Sequence, residues 1–461
     1  MNEFTTLKSV SVSKLFGRFD YNLTFKNIAD ESKALTIITA PNGYGKSTIL
    51  KLIDDLLRGN YLRLARTSFH ELILKSSEDI SILVRRKVLS KNDTENESVF
   101  LVFELFSKGE SQSTETWNLN IEEVQRNEID EDGSISRRFD SSVIEYADRI
   151  LGLRRVGVNV WRDPKNGRNF SRSEITEMFE VRRLKSSGNV EPSWLIEFRK
   201  SLPVLYISAN RLRVDLDSQV NRRGQSGEKV EAISDKVLDQ IRNFNRTYAE
   251  AGRRLEQDFA SRVIKALGDS SPVSEVEVSL LMEQVRKREE EYQELGLLSS
   301  GQTARSQDFP KDNSAFRVLK TYLEDIDKKL AGLEEPAHRL KLFVQTLNSM
   351  LVFKKIALIP DAGFEVIGDD GKNIPLKSLS SGEQHLIVLL GELIFESINI
   401  SAVLLDEPEI SFHPAWQDVF VGILEKIIFL NKCMIVMATH SPTLIGDKWE
   451  SVIELAEQVR T

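Results

Sequence analysis

Hydrophobic positions along the chain follow three successive rhythms. Near the start, Val10, Val12 and Leu15 precede an alternation of Tyr21, Leu23 and Phe25, which predicts half-buried strands. Leu35-Thr36-Ile37-Ile38-Thr39 then reads as a short apolar strand running into a glycine-rich turn, with a helix expected from about Ser47 to Leu57. Residues 60–225 are mixed: strands are expected at Ile80–Val84, Val99–Phe103 and Leu202–Ile207, and residues 107–142 are polar with a turn at Asp132-Gly133. From 229 to 335 the period lengthens to three or four. Ile233, Val237, Ile241, Phe244, Tyr248, Ala251, Leu255, Phe259 and Val263 fall on one face of a long helix, and Phe316, Leu319, Leu323, Ile326, Leu330 and Leu333 form a second face. Paired faces of this kind predict a helical hairpin or arm, or else simple core packing. Beyond Pro336 come a helix over 337–351, strands around Ile356 and Phe364, and an alternation of helix and strand, as in an α/β fold.

Composition narrows the setting. A length of 461 residues allows two or three domains, and 41% hydrophobic content can build a sizeable core. The single cysteine, Cys433, rules out an internal disulfide framework and fits a reducing compartment. The N-terminus has no signal-peptide pattern. The longest apolar stretch, Leu386 to Leu405, contains Glu392 and Glu396, which predicts a helix followed by a strand and no membrane span. A soluble, cytoplasmic protein is therefore expected. A net charge of −8 argues against a surface that is basic throughout. Arg149 to Lys185, with ten Lys/Arg against four Asp/Glu, is either a local basic groove or a solvated face.

Four motifs carry chemistry. Ala40-Pro41-Asn42-Gly43-Tyr44-Gly45-Lys46-Ser47-Thr48 lies between an apolar strand and a helix, the context of a phosphate-binding P-loop, although Ala40 stands where the strict pattern has glycine. Gly43 and Gly45 let backbone amides curl around phosphate oxygens, Lys46 can reach the β- and γ-phosphates, and Ser47 can ligate Mg²⁺. Ala402-Val403-Leu404-Leu405-Asp406-Glu407-Pro408 is a buried strand ending in two carboxylates, Asp406 to hold Mg²⁺ and Glu407 to polarise the attacking water. Leu379-Ser380-Ser381-Gly382-Glu383-Gln384 places a serine and backbone amides at a helix start, an anion site with nothing to bind within its own chain. Ala438-Thr439-His440-Ser441-Pro442 puts a histidine at a strand end, where it can meet the γ-phosphate and the water. A second signature-like run, Leu298-Ser299-Ser300-Gly301-Gln302, lacks both a following apolar helix and a catalytic strand, and is set aside.

With these motifs in this order the sequence resembles the ABC ATPase superfamily. The matches are Walker A at 40–48, the signature loop at 379–384, Walker B at 402–407, the D-loop at 408–414 and the switch histidine at 440, and they cover roughly the first 60 and last 120 residues. The resemblance implies an α/β P-loop head with a large mixed insertion: an N-terminal lobe at 1–60, a mixed insertion at 61–228, a helical arm at 229–335 and a C-terminal lobe at 336–461. It further implies ATP and Mg²⁺ as cofactors. Asn42, Gly43, Gly45, Lys46, Ser47 and Thr48 would bind nucleotide from one head, Ser381 and Gly382 from the other, with Glu407 and His440 catalytic and Ser47 and Asp406 on the metal. The heads would form a homodimer or higher oligomer around ATP. Phe16 and Phe19 are candidates to stack on the base and also read as core. Asn210 and Arg211 stand where the family places its γ-phosphate-sensing residue, although no glutamine is there.

The gap of 336 positions between Lys46 and Gly382 is far longer than in transporter subunits, and Glu407-Pro408-Glu409-Ile410-Ser411-Phe412-His413-Pro414 looks like the non-transporter branch with the OLD and SMC-like ATPases. The chain ends 21 residues after His440, too short for the nuclease domain of OLD enzymes. The size, insert and arm most resemble the ATPases of bacterial anti-phage systems, the AriA type of PARIS and the PtuA type of Septu. That resemblance implies a separate nuclease effector of Toprim type, a phage-encoded trigger and contact with DNA as a further option, with no membrane partner. An SMC-like ATPase of DNA repair or chromosome maintenance is the alternative.

Overall fold

A computed structural model describes residues 5–26, 34–90, 97–107, 112–121, 144, 146–155, 160–164, 169–171, 175, 190–209, 225–269, 271–298, 312–359, 362–410 and 412–459. At its centre lies a five-stranded sheet in the order β11-β15-β16-β3-β17, comprising β11 (Val204–Ile207), β15 (Ala402–Asp406), β16 (Met434–Ala438), β3 (Leu35–Thr39) and β17 (Val452–Glu454), with every neighbouring pair parallel. Strands β15 and β16 are buried at every residue, which matches their unbroken apolar runs, because a parallel sheet is covered on both faces. Helix α1 (Lys46–Arg58) follows β3 and packs on β11, β15 and β16, while α9 (Pro414–Asn431) packs on β16 and β3. Since the strands are parallel, the chain leaves β3, β11, β15 and β16 at the same edge, where ligand crevices of open α/β sheets form.

A second, antiparallel sheet has the order β2-β1-β4-β5-β6-β7, formed by β1 (Leu7–Leu15), β2 (Phe19–Thr24), β4 (Glu71–Ser76), β5 (Ser81–Ser90), β6 (Glu97–Phe106) and β7 (Glu115–Asn120). It runs across position 60, since β1 pairs with β4 from Leu7↔Ser76 to Ser13↔Glu71. The alternation in β2, buried and exposed by turns, is that of a sheet with one solvated face. Tyr61 of α2 (Tyr61–Arg66) meets Phe103 and Trp117 edge-on at 5.0 and 5.6 Å, so the helices after the P-loop join the two sheets in one core. A small sheet of β8 (Arg154–Arg155), β9 (Val160–Arg162) and β10 (Asn169–Ser171) has its own core around the fully buried Trp161. Most of the basic stretch from 149 to 185 lies outside the described residues.

After α3 (Ser193–Ser201), the helical region differs from a simple hairpin. Helix α4 (Gln225–Gly268) is followed by α5 (Glu275–Glu294), α6 (Asn313–Ala331) and α7 (Glu334–Met350). Helix α5 is the element that the periodicity did not predict. Its buried residues, Val278, Val285, Glu289 and Tyr292, are sparse between charges. Arg288–Asp327 and Lys320–Glu277, both at 2.6 Å, tie α5 to α6, and Arg262–Asp325, at 2.5 Å, ties α4 to α6. At its inner end α4 is part of the main core through Ile233, Val237, Ile241 and Phe244. Ile233 crosses α8 (Ser381–Gly391) so closely at Gly391 that an added Cβ would lie 2.4 Å from Ile233 Cγ2. A hairpin sheet of β12 (Lys354–Ile359), β13 (Gly363–Gly368) and β14 (Asn373–Ile374) leads into α8. Cys433 is buried, and that burial pushes its thiol up to about 11, opposed in part by a hydrogen bond with Ser397. Among the described residues, no helix is long and apolar enough to cross a membrane.

Candidate active site

At the exit edge of the parallel sheet, residues from four strands converge. The turn after β3 has Gly43 and Gly45 at φ +85° and +88°, and a Cβ at Gly45 would lie 2.8 Å from Leu15 Cδ2. Glycine is therefore required at 45 both for its backbone conformation and for its close approach to β1. The carbonyl of Tyr44 accepts a 2.8 Å hydrogen bond from the Tyr21 hydroxyl, which anchors the loop to β2. Helix α1 begins at Gly45 with no side-chain cap, so its first amides have no acceptor from a capping side chain. Asn42, Gly43, Ser47 and Thr48 lie on this same turn and helix start.

Lys46 is 4% exposed, donates to the Ala40 carbonyl at 2.8 Å and lies 2.5 Å from His440 Nε2. Burial pushes its ammonium below the usual lysine range, against the opposing charges of Glu407, Asp406, Glu409 and Glu454. His440 Nε2 is also 3.3 Å from Glu407 Oε1. One ring nitrogen thus faces both an ammonium that needs an acceptor and a carboxylate that needs a donor, and it can serve only one at a time. Ser47 Oγ donates to Asp406 Oδ1 at 2.7 Å, and the Tyr206 hydroxyl donates to Asp406 Oδ2 at 3.0 Å. The side-by-side hydroxyl and carboxylate are hard oxygen donors suited to Mg²⁺, which takes few protein ligands and completes its shell with phosphate and water. Among the described residues, no group of three or more His, Cys, Asp or Glu forms a metal cluster. Glu407 adopts φ +42°, a left-handed conformation that a non-glycine residue rarely takes, and its amide donates to the Ala438 carbonyl at 2.9 Å. Strain of this kind is retained where the surroundings over-determine a side chain's direction.

The start of α8 stands apart. Ser380 caps it in a full capping box with Glu383, Lys354 pairs with Glu383 at 2.6 Å, and Gln384 Nε2 donates to the carbonyl of Leu379 at 3.0 Å. Ser381 is exposed and Gly382 half-buried. Among the described residues, no hydrogen bond or ion pair joins positions 380–384 to the Lys46, Asp406, Glu407 and His440 cluster.

The contacts of three contributors were not visible in the sequence, although Glu409 stands within the D-loop match. Tyr206 reaches Asp406 because β11 pairs with β15, which sequence spacing does not reveal. Glu409 accepts from Thr439 Oγ1 and the His440 amide, and Glu454 accepts from Thr39 Oγ1 at 2.9 Å. Of the two aromatic candidates, Phe19 is buried and stacks with Tyr21 and Tyr44, whereas Phe16 is 45% exposed beside the P-loop, with its Cε2 3.3 Å from the Cβ position of Gly45. Asn210, Arg211 and the signature-like positions 299–302 lie outside the described residues.

No curated protein matches the chain. Among solved structures it is similar to the Smc head bound to the C-winged helix domain of ScpA, at 11% identity over 97% of this chain and 93% of that one with a TM-score of 0.33. It is also similar to an Smc head domain with a coiled coil and joint derived from Pyrococcus yayanosii, at 13% identity over 98% and 95% with a TM-score of 0.32. Residues 16–445 match the AAA ATPase domain family. The chain belongs to that family and is an ATP-hydrolysing P-loop enzyme.

Proposed function

We propose that this ATPase completes its nucleotide pocket with a second copy of itself and uses turnover as a switch over a separate effector. In this reading the amides of the 42–48 turn and Lys46 bind the phosphates, Ser47 and Asp406 hold Mg²⁺, Glu407 polarises the attacking water, and His440 follows the γ-phosphate. When bound, the metal neutralises charge on the phosphate oxygens. Ser381 and Gly382 come from the facing head, which makes the γ-phosphate the glue between subunits. The observation that carries the reading is the separation of the two half-sites: a cross-bonded cluster around Lys46, and a capped helix start at Ser381 that shares no bond with it.

The ATPase is assigned to a bacterial anti-phage system in which it restrains a separate nuclease, of Toprim type, until a phage-encoded trigger is sensed. This assignment rests on the size of the head, the large mixed insert and the helical arm, while the Glu409…His413-Pro414 form of the D-loop sets the chain apart from transporter subunits. An SMC-like role on DNA is the second reading, favoured by the 44-residue α4, about 66 Å long at the helical rise. ATPase rate measured against protein concentration tests the core of the proposal: specific activity should rise steeply as heads associate. Full turnover by a strictly isolated monomer would overturn it. Co-purification of a nuclease released on ATP hydrolysis supports the defence role, whereas DNA-stimulated turnover with no such partner supports the other.

A further inference from the structure

We propose that Glu409 is a positioning residue that couples the loop after Glu407 to the turn carrying His440. This deepens the reading above and rests on His440 acting at the γ-phosphate. Glu409 Oε1 accepts two hydrogen bonds from consecutive residues of the turn after β16, from Thr439 Oγ1 at 2.6 Å and from the His440 amide at 2.9 Å. Thr439 is fully buried, its amide donates to the Ile38 carbonyl at 3.2 Å, and its hydroxyl accepts from the Ser441 amide at 2.9 Å. Ser441 Oγ in turn donates to Gln417 Oε1 at 2.6 Å. The His440 turn is therefore held at both sides, by Glu409 and by Gln417 on α9.

The backbone just before Glu409 is tied to the end of β16, and the chain turns back on itself directly after it. The Glu407 amide donates to the Ala438 carbonyl at 2.9 Å, and the Phe412 amide to the Glu409 carbonyl at 2.8 Å. Among the described residues, Glu409 Oε2 is buried with no hydrogen-bond partner. A buried carboxylate oxygen without a partner is costly and is retained where the other oxygen is needed in place. Because both donors converge on one oxygen, the clamp requires an acceptor at that point and no second charge-bearing contact. His440 Nε2, lying between Lys46 and Glu407, would change partner when the 409–417 segment shifts, so a subunit docking against this loop reaches the γ-phosphate end of the site through Glu409.

The test is a set of full-length variants assayed for kcat, KM and nucleotide affinity. Glu409→Ala is expected to lower kcat about 10- to 100-fold, the scale of losing hydrogen bonds to a charged acceptor, with affinity for a fluorescent ATP analogue within about twofold of the parent. Glu409→Gln, which keeps one acceptor oxygen, is expected to recover at least half of that loss on a logarithmic scale. Thr439→Val removes one of the two bonds from the other side, and its effect should be non-additive with Glu409→Ala. Failure of Glu409→Gln to recover rate, or strict additivity with Thr439→Val, overturns the clamp. Should Glu409→Ala not fold, Glu409→Gln and Thr439→Val, each alone and combined, supply the cycle, and strict additivity between them overturns the clamp. Glu407→Gln assayed in parallel separates the two levels: if it is inactive while Glu409→Ala matches the parent, only this inference fails; if Glu407→Gln turns over at the parent rate, the underlying reading fails.

Discussion

The starts of α1 and α8 are both loop-to-helix junctions rich in glycine and serine, yet they are held in opposite ways. Helix α1 begins without a side-chain cap, and its first side chains bond far along the sequence: Lys46 to His440, and Ser47 to Asp406. Helix α8 begins with a complete capping box and a local ion pair, all within thirty residues. An uncapped first turn keeps amides that still need an acceptor, and the dipole favours an anion there. A capped first turn is stable by itself and can be presented as a rigid edge. The difference suits the proposed division of labour, in which one junction receives phosphate and the other is offered to a neighbour.

Breaking the first junction's chemistry should have the largest effect. Replacing Glu407 by Gln should reduce phosphate release by about 10²- to 10⁴-fold, the range of a general base, while ATP stays bound. Retention of labelled nucleotide on a spin column checks the second half. Next comes the division between junctions. Ser381→Arg should abolish most turnover without changing the affinity of a single head for nucleotide, and Lys46→Ala should weaken that affinity. Mixing the two inactive variants should restore about a quarter of the parent rate, because half of the dimers are mixed and each holds one intact site. No recovery on mixing would place both halves in one chain and erase the contrast. Tyr206→Phe removes one bond to Asp406 and should raise the Mg²⁺ needed for half-maximal activity about 3- to 10-fold, with Mn²⁺ binding read by electron paramagnetic resonance as an independent check. The smallest effect is expected at the cap: Ser380→Ala should cost about 1 kcal/mol of stability, seen as a lowered denaturant midpoint.

Legibility in the sequence followed how local each signal was. Strands β3, β15 and β16 are continuous apolar runs bounded by turns, so their place in a parallel α/β core could be read directly. The long face of α4 was visible for the same reason, since Ile233 to Phe244 repeats every three or four residues. Helix α5 was missed because Val278, Val285 and Tyr292 are seven apart with charges between, too sparse for a helical stripe. Strands β4 and β7 went unseen as short alternations whose meaning depends on pairing with β1 and β6. At the site, the motif residues sit beside their own strand ends, whereas Tyr206 and Glu409 act on residues 200 and 30 positions away. Only the lateral order of the sheet and the fold of the turn after β16 bring them there.

The lone thiol, Cys433, has a practical consequence. A thiol with its pKa pushed up to about 11 and its side chain enclosed has almost no thiolate at neutral pH, and thiolate is the species that alkylating reagents and oxidants attack. Toward such reagents the folded chain behaves as if it were cysteine-free. A cysteine introduced at the exposed Ser381 would then be the reactive handle, so spin labels, fluorophores or bifunctional cross-linkers can report on a facing subunit with the native Cys433 left in place.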